Sequence, residues 1–253
     1  MRVLAGFEFD GTEYSGWQRQ PGVLTVQESI ETALSSLFRR SIRITGAGRT
    51  DAGVHAMNMP AHFDILPGEM NGLPKGLNHF LPSGIACLFA VPVADDFHAR
   101  YSAVSRSYSY SIGRGSHPLR ARYQYQKAIT DLDTPAMQLG ARLSTGRNSW
   151  RGFAKEGSGN RSWEMHVTDA CVEEKSTGWT LNVTADRFLR GAVRIWAGTL
   201  LRIGTGGISP ETVGKILEAG DRSLSGPSLP ACGLTLTAVE YPPPFSGHCR
   251  GGN

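Results

Sequence analysis

The sequence predicts an α+β protein built from two similar halves, on three observations. Apolar and polar residues alternate in several short segments, most clearly at 104–112, which is typical of strands with one buried face. Other segments, such as 26–39, repeat apolar residues at helical spacing. The predicted elements run strand, helix, strands, helix, strand, and much the same order follows after a divide near 112–132. We therefore expect halves at 1–112 and 113–241.

The first half begins with a predicted strand that ends at the turn Asp10-Gly11. Thr25 and Glu28 have the spacing of a capping box, which predicts a helix from there to about residue 39. Pro60 has no amide hydrogen for a sheet, so we expect its strand to start late or to lie at an edge. The other elements predicted in this half are strands at 42–44, about 58–65, 85–93 and 104–112, and a helix at 71–80.

The second half is predicted to open with a helix at Thr134-Pro135, since proline is favoured in the first helical turn. Residues 146–162 are rich in Gly, Ser, Arg and Asn and predict a mobile loop, and residues 242–253 predict a flexible tail. The other predicted elements are strands at 163–174, 178–185 and 233–241, an amphipathic helix from Leu189 to Ile203 that Gly204 ends, and a helix capped by residues 209–211.

Composition narrows the class of protein. With 253 residues, 40% of them hydrophobic, the chain can bury a substantial core. It has no apolar run of membrane-spanning length, and its start lacks the blocks of a signal peptide, so we expect a cytoplasmic protein. The four cysteines are far apart and form no C-x-x-C pair, which favours reduced structural thiols: Cys87, Cys171, Cys232 and Cys249.

The basic residues suggest a nucleic-acid partner without establishing one. The net charge is +4, and 21 of the 26 basic residues are arginine. Arginine forks onto phosphates and stacks on bases, which lysine does poorly. A compositional bias toward arginine codons is the alternative explanation.

A glycine-rich loop at 46–56 holds the strongest candidate for chemistry. Arg49 and Asp51 lie two residues apart, so in an extended segment they share a face. A nearby guanidinium favours the ionised carboxylate, which in a cleft acts as a nucleophile or base. The alternative is a structural ion pair that ties down the loop. His55 is either an acid or base or, more simply, a hydrogen-bonding group.

Other reaction classes find little support. A glycosidase needs two carboxylates at a defined separation, and the candidates Glu13, Asp64 and Asp96 have no distinguishing context. His62 and Asp64 flank Phe63, but a third metal ligand is not evident. The glycine-rich loop lacks a Walker lysine and the G-x-G-x-x-G spacing, which argues against nucleotide binding.

Two further clusters are candidates for binding RNA. Residues 96–100 lead into a strand with Arg106, Tyr108 and Tyr110 on one face, where aromatic and arginine side chains can stack a base and hold its phosphate. Alternatively, the tyrosines are core residues. The second cluster has the spacing i, i+3, i+7 on a predicted helix and is either a solvated basic face or an RNA-facing one: Arg187, Arg190 and Arg194.

Taken together, these motifs resemble the tRNA pseudouridine synthase A (TruA) family along nearly the whole chain. Five segments match in family order: FDGTEYSGWQRQ at 9–20, RTDAGVHA at 49–56, DFHARYSA at 96–103 with RSYSY at 106–110, Phe188-Leu189 with Val193-Arg194 and Gly198, and GLTL at 233–236 with Val239 and Tyr241. The order of the five segments, more than any one of them, carries the resemblance.

The resemblance implies a reaction, a fold and a set of site residues. The enzyme would detach a uracil from its ribose and rejoin it through carbon 5, without cofactor or metal, at uridines 38, 39 and 40 of the tRNA anticodon arm. The fold would be two related halves, each a mostly antiparallel sheet with helices on one face, around a central RNA-binding cleft in a homodimer. By this resemblance Asp51 is the catalytic residue, Arg49 and Arg194 support its carboxylate, and Tyr108 stacks on the base. The other expected substrate contacts are Leu234, His55, Arg106 and Arg190.

The chain departs from two of the family's motifs, and its segment 147–162 also matches the family only loosely. Residues 57–60 replace a glycine and glutamine, and Arg190-Gly191-Ala192 replaces a histidine–methionine stretch. Both departures leave the catalytic set whole and affect the choice of target site. Two alternatives to the anticodon-arm synthase therefore stay open: a non-catalytic tRNA-binding or folding protein, and a synthase that acts on another RNA position.

Overall fold

The computed structural model describes residues 1–155, 157 and 162–245, with Lys127 described by its backbone alone. The chain forms two compact units. Within the described residues, unit 1 comprises Met1–Val104 and residues 235–245, and unit 2 comprises Ser105–Leu234. The expected division at 112/113 thus falls inside a strand of unit 2, because the alternating pattern of 104–112 belongs to one continuous strand.

Unit 1 is built around a mostly antiparallel sheet. Element labels follow chain order through both units. The strands here are β1 (Arg2–Phe9), β2 (Thr45–Gly46), β3 (His55–Asp64), β4 (Ile85–Val93) and β10 (Leu234–Glu240), and the helices are α1 (Val26–Phe38) and α2 (Leu73–Phe80). The sheet order is β4-β1-β3-β10. β1 is antiparallel to β3 and β4, β2 is antiparallel to β3, and β10 is parallel to β3. α2 packs on β4, and α1 packs on α2.

The capping box at the start of α1 is confirmed at its N-cap. The side chain of Thr25 accepts a hydrogen bond from the backbone N–H of Glu28 at 3.4 Å. This bond satisfies one of the amide groups that the first helical turn leaves without a partner. Val26, Ile30 and Leu34 form the buried stripe that the helical spacing predicts.

The expectation for Pro60 is wrong. β3 begins at His55, before the predicted start, and Pro60 lies in its middle, opposite Gly6 of β1. β3 is an interior strand, since β1 lies on one side and β2 and β10 on the other. The carbonyl of Pro60 accepts a hydrogen bond from the amide of Ala47 at 2.8 Å. Proline is tolerated here because this link uses its acceptor and does not require an amide hydrogen.

Unit 2 also has a mostly antiparallel sheet. Its strands are β5 (Ser105–Arg114), β6 (Tyr125–Lys127), β7 (Gly146–Ser149), β8 (Glu164–Lys175) and β9 (Gly178–Ala185), and its helices are α3 (Thr134–Leu143), α4 (Ala192–Gly204) and α5 (Thr212–Ala219). The sheet order is β5-β9-β8-β7, and β6 runs parallel to β5. α3 packs on β8, α4 packs on β5 and α3, and α5 packs on β7. Both units therefore have the predicted α+β architecture.

The alternating strand at 104–112 is confirmed as β5. Tyr110 and Ile112 are fully buried on the face that α4 covers. The serines point to the other face, where the hydroxyls of Ser107 and Thr184 lie 2.8 Å apart. The period of two in the sequence thus separates a packed face from a polar one, as the strand geometry requires.

Three predictions in unit 2 need correction. Residues 146–149, assigned to a mobile loop, form the edge strand β7. α4 begins at Ala192, three residues after Leu189, because Gly191 adopts the left-handed conformation (φ 73°) that interrupts the helix. α5 begins at Thr212, and its N-cap Glu211 makes no side-chain cap.

The predicted mobile loop and the predicted tail lie partly outside the described residues. Of the predicted mobile loop, residues 156 and 158–161 lie outside the described residues, as do Cys249 and residues 246–253 of the predicted tail. Residues 242–245 form a turn in which the amide of Phe245 donates to the carbonyl of Pro242 at 3.1 Å. The three cysteines within the described ranges carry unpaired thiols. In the same ranges, every helix is too short or too polar to cross a membrane.

Candidate active site

The loop at residues 46–55, here called the Asp51 loop, connects β2 to β3 within unit 1. The amide of Val54 donates to the carbonyl of Asp51 at 3.2 Å, which closes a turn. Gly53 supplies the left-handed conformation (φ 78°) that this turn requires. Asp51 is half-buried, and Arg49 is exposed.

A second segment, residues 14–20, holds the Asp51 loop on both sides of Asp51. The amide of Trp17 donates to the carbonyl of Thr50 at 3.1 Å, and the amide of Gly53 donates to the carbonyl of Tyr14 at 3.2 Å. Gly16 allows this approach, because its φ is 89° and a Cβ there would lie 2.6 Å from the carbonyl oxygen of Thr50. The position of Asp51 is therefore fixed by backbone contacts with the first motif.

The indole of Trp17 explains one of the loop glycines. Trp17 is buried, and a Cβ on Gly46 would lie 2.6 Å from its ring. Only glycine lets the backbone pass so close to the indole. Around Gly48, by contrast, the Cβ position has open space, so packing does not account for that glycine.

Arg49 does not make the contact expected of it. Across the described part of the chain, its side chain makes no hydrogen bond or ion pair, and this includes Asp51. The structural ion pair considered as an alternative is therefore also absent. Arg49 is an exposed cation two residues from Asp51.

His55, at the start of β3, is a buried hydrogen-bonding residue. It is 3% exposed, and its Nδ1 accepts from the amide of Gly11 at 3.1 Å. Oδ1 of Asp10 lies 3.2 Å from the same nitrogen. The Gly11 contact requires the ring proton on Nε2, so Nδ1 cannot donate to Asp10 at the same time. His55 thus anchors the end of β1 to the Asp51 loop.

In unit 2, Arg106 and Tyr108 lie next to each other on one face of β5. Nη1 of Arg106 donates to the carbonyl of Asp186 at 2.8 Å. The half-buried ring of Tyr108 meets Phe188 edge-on, with ring centres 5.0 Å apart. Tyr110, two residues further, is a core residue whose hydroxyl donates to the carbonyl of Pro230 at 2.7 Å. The core alternative therefore holds for Tyr110.

The basic helix face predicted at 187–194 does not exist. Arg194 lies in the first turn of α4, where its Nε donates to the carbonyl of Leu229 at 2.6 Å. Arg187 and Arg190 precede the helix and are exposed. They fall outside it because the helix begins only after the left-handed Gly191. Leu234, 6% exposed, begins β10.

The third motif is tied to β3 through His62. The amide of Ala99 donates to Nδ1 of His62 at 3.1 Å, and burial lowers the pKa of His62 to about 4, so its ring is neutral at neutral pH. Asp64 is paired with Arg2 at 3.0 Å. Among the described residues, no three histidine, cysteine or acidic side chains are grouped in a way that could hold a metal ion.

The predicted site residues thus fall into two groups, one in each unit. Asp51, Arg49 and His55 share the Asp51 loop of unit 1. Unit 2 contains the remaining five, and its last residue, Leu234, is also the first residue of β10: Arg106, Tyr108, Arg190, Arg194 and Leu234. Sequence reasoning missed Gln27 and Glu31 on α1, which contact the segments that border the loop. Their spacing carries no clear signal, because a glutamine and a glutamate four residues apart on an amphipathic helix ordinarily lie on its solvated face.

Comparisons with known proteins agree with these motifs. A family model described as tRNA pseudouridine synthase matches residues 5–102 and 141–242, one segment in each predicted half. The tRNA pseudouridine synthase A of Syntrophotalea carbinolica is 42% identical over 93% of this chain and 94% of its own length. The enzymes of the same name from Porphyromonas gingivalis and Bacteroides thetaiotaomicron are 39% and 38% identical over 95% of this chain, and over 97% and 91% of their own lengths.

Proposed function

The chain belongs to the tRNA pseudouridine synthase family, a family of isomerases that act on tRNA, and on this premise we propose that it modifies the anticodon stem-loop with Asp51 as its nucleophile. The target uridines would be those at positions 38, 39 and 40. The observation that carries the proposal is the pair of backbone hydrogen bonds on either side of Asp51. They join Thr50 and Gly53 to the 14–20 segment. The Asp51 loop and this segment belong to the two motifs that resemble the family most fully.

The reaction needs no exchange of atoms with a cofactor. The bond between N1 of uracil and C1′ of ribose breaks, the base turns, and C5 forms a new bond to C1′. C5 loses its proton, and N1 gains one. The carboxylate of Asp51 attacks either the base or the sugar carbon, and fixed placement lowers the barrier in both cases because it removes the need to orient the reacting groups.

The target base must leave the helical stack, which costs a few kcal/mol. We assign the compensation to Tyr108, whose ring would stack on the base, and to arginines that would contact phosphates. Arg194 would support the carboxylate of Asp51, and the exposed Arg49 is available to the RNA instead of to Asp51. The remaining assignments are Leu234 as an apolar wall, His55 as the anchor of the Asp51 loop, and Arg106 and Arg190 as RNA contacts.

The setting of the reaction is part of the same proposal. The relatives are named as bacterial tRNA-modifying enzymes, and we propose that this chain acts on tRNA in the cytoplasm as a homodimer. Size-exclusion chromatography with light scattering checks the dimer directly. A mass of a single 27.3 kDa chain at micromolar concentration would contradict it.

The choice of uridines is tested by mapping. In cells that lack the gene, pseudouridine should disappear at positions 38, 39 and 40 and persist elsewhere in the tRNA. Loss at other positions would assign the enzyme another RNA target. If the pseudouridine map is unchanged but tRNA folding is impaired in these cells, the result would favour the non-catalytic tRNA-binding protein.

Replacement of Tyr108 should slow the reaction without unfolding unit 2. Stacking of one base on an aromatic side chain contributes about 1–3 kcal/mol, so Tyr108→Ala should lower kcat/KM by about 5- to 150-fold. The matched control is Tyr110→Phe, which removes the buried hydrogen bond to Pro230 and should lower stability by roughly 1–3 kcal/mol while kcat/KM stays that of wild type. Equal activity losses in both variants would argue against stacking by Tyr108.

A further inference from the structure

A buried carboxylate on α1 joins the two segments that border the Asp51 loop. Glu31 is 5% exposed, and a buried charge is stable only when it is paired and hydrogen-bonded. Its Oε2 accepts from Nη1 of Arg43 at 2.8 Å and from Nη1 of Arg19 at 3.4 Å. Its Oε1 accepts from the amide of Ile44 at 3.2 Å and from Nε2 of Gln27 at 3.1 Å. The carboxylate is thereby linked to the 14–20 segment and to the segment that enters β2.

The side-chain amide of Gln27 links the same two segments as the carboxylate of Glu31. Its Nε2 donates to Glu31 and also to the carbonyl of Ile44 at 3.2 Å. Its Oε1 accepts from Nε2 of Gln18 at 3.0 Å and from the backbone amide of Arg19 at 3.2 Å. All four hydrogen-bonding positions of this amide are used, which fixes both its orientation and the two segments that it bridges.

These contacts continue through the backbone to Asp51. The backbone amide of Gln27 donates to the carbonyl of Trp17 at 3.0 Å, and the backbone amide of Trp17 donates to the carbonyl of Thr50 at 3.1 Å. Thr50 immediately precedes Asp51. Together with the covalent bonds within Gln27 and Trp17, these hydrogen bonds connect the carboxylate of Glu31 to Thr50, the residue beside the proposed nucleophile.

We propose that Gln27 and Glu31 are positioning residues, which hold Trp17 and Thr50 so that Asp51 meets the target uridine in a productive orientation. The inference rests on the proposed role of Asp51 as nucleophile. Neither residue has to touch the RNA for this purpose. A shift of about 1 Å at the reacting group can cost about a hundredfold in rate, so loss of the network should slow the chemical step and leave tRNA affinity unchanged.

The test is the single-turnover rate of tritium release from tRNA that carries carbon-5-labelled uridine, with enzyme in excess. Enzyme excess removes the effect of a reduced active fraction, which is what a purely structural role would change. Gln27→Ala should lower this rate about 10- to 100-fold, with an unchanged Kd for tRNA. Glu31→Gln should show the same separation between rate and affinity, because the amide cannot accept all four hydrogen bonds.

A matched control separates positioning from general stability. Ala33 lies in the same helix as Gln27 and Glu31. Its replacement by glycine should destabilise the helix but keep the hydrogen bonds of Gln27 and Glu31. It should react at the wild-type rate under enzyme excess. The proposal is overturned if Gln27→Ala reacts like wild type, or if Ala33→Gly is slowed as much as Gln27→Ala.

A second variant covers the case in which Gln27→Ala does not fold. Gln27→Met keeps the length of the side chain and its packing but removes its four hydrogen bonds, and it should show the same slow chemistry and unchanged Kd. Rates equal to wild type in this variant would also overturn the proposal. If wild-type enzyme itself releases no tritium, the proposed function fails. If wild type is active and the variants match it, only the positioning role fails.

Discussion

The Asp51→Asn variant should bind tRNA as tightly as wild type and release almost no tritium from carbon-5-labelled uridine. Asparagine keeps the shape of aspartate, so the backbone contacts of Thr50 and Gly53 with the 14–17 segment should persist. It lacks a nucleophilic carboxylate, and loss of a nucleophile costs at least about a thousandfold in rate. Single-turnover release at saturating enzyme measures the chemical step, and filter binding measures the affinity.

Asp64→Asn is the control for this substitution. It makes the same chemical change in the same unit, at an exposed carboxylate that is paired with Arg2. Its rate of tritium release should equal that of wild type. A rate for Asp51→Asn within tenfold of wild type would remove Asp51 as nucleophile, whereas no release by wild type from any tRNA pool would favour the non-catalytic protein.

Gly198→Ala should destabilise unit 2 by roughly 3 kcal/mol or more, since the added methyl group has no room. Gly198 lies inside α4, where a Cβ would overlap the carbonyl oxygen of Pro227. Gly226, on the same neighbouring segment, has its Cβ position occupied by the backbone of Gly198. Backbone faces backbone here, so a change of rotamer cannot relieve the overlap. The measurement is thermal unfolding, in which 1 kcal/mol corresponds to about 2–4 °C at this chain length.

Gly214→Ala should have the opposite sign. Gly214 lies inside α5, is exposed, and has open space around its Cβ position. Alanine in an exposed helix interior is more stable than glycine by about 0.5–1 kcal/mol, chiefly because it restricts the unfolded chain. If both alanine variants shift the melting temperature in the same direction, the close contact of α4 with the 226–227 segment does not control stability.

Regular elements were predicted well where the hydrophobic period is long and unbroken. The strands at 85–93 and 178–185 begin and end where the pattern places them, and the helix predicted to open at Thr134 begins there. The boundaries of α4 and β3 were not predicted, because each depends on one residue in its surroundings. Gly191 delays the helix through a left-handed backbone, and Pro60 fits inside a sheet because its carbonyl finds Ala47.

The candidate site divides in the same way. The sequence by itself determined that Asp51 lies in a glycine-rich loop, that Tyr108 shares a strand face with Tyr110, and which family the chain resembles, since these follow from residue order and periodicity. Only the tertiary structure decided that Arg49 makes no pair with Asp51, that Arg187 and Arg190 lie outside α4, and that Tyr110 belongs to the core. It also revealed the hydrogen bonds through which Gln27 and Glu31 join the segments that border the Asp51 loop. The physical reason is that an ion pair or a hydrogen bond depends on distances of about 3 Å between segments far apart in the chain, and sequence spacing does not set those distances.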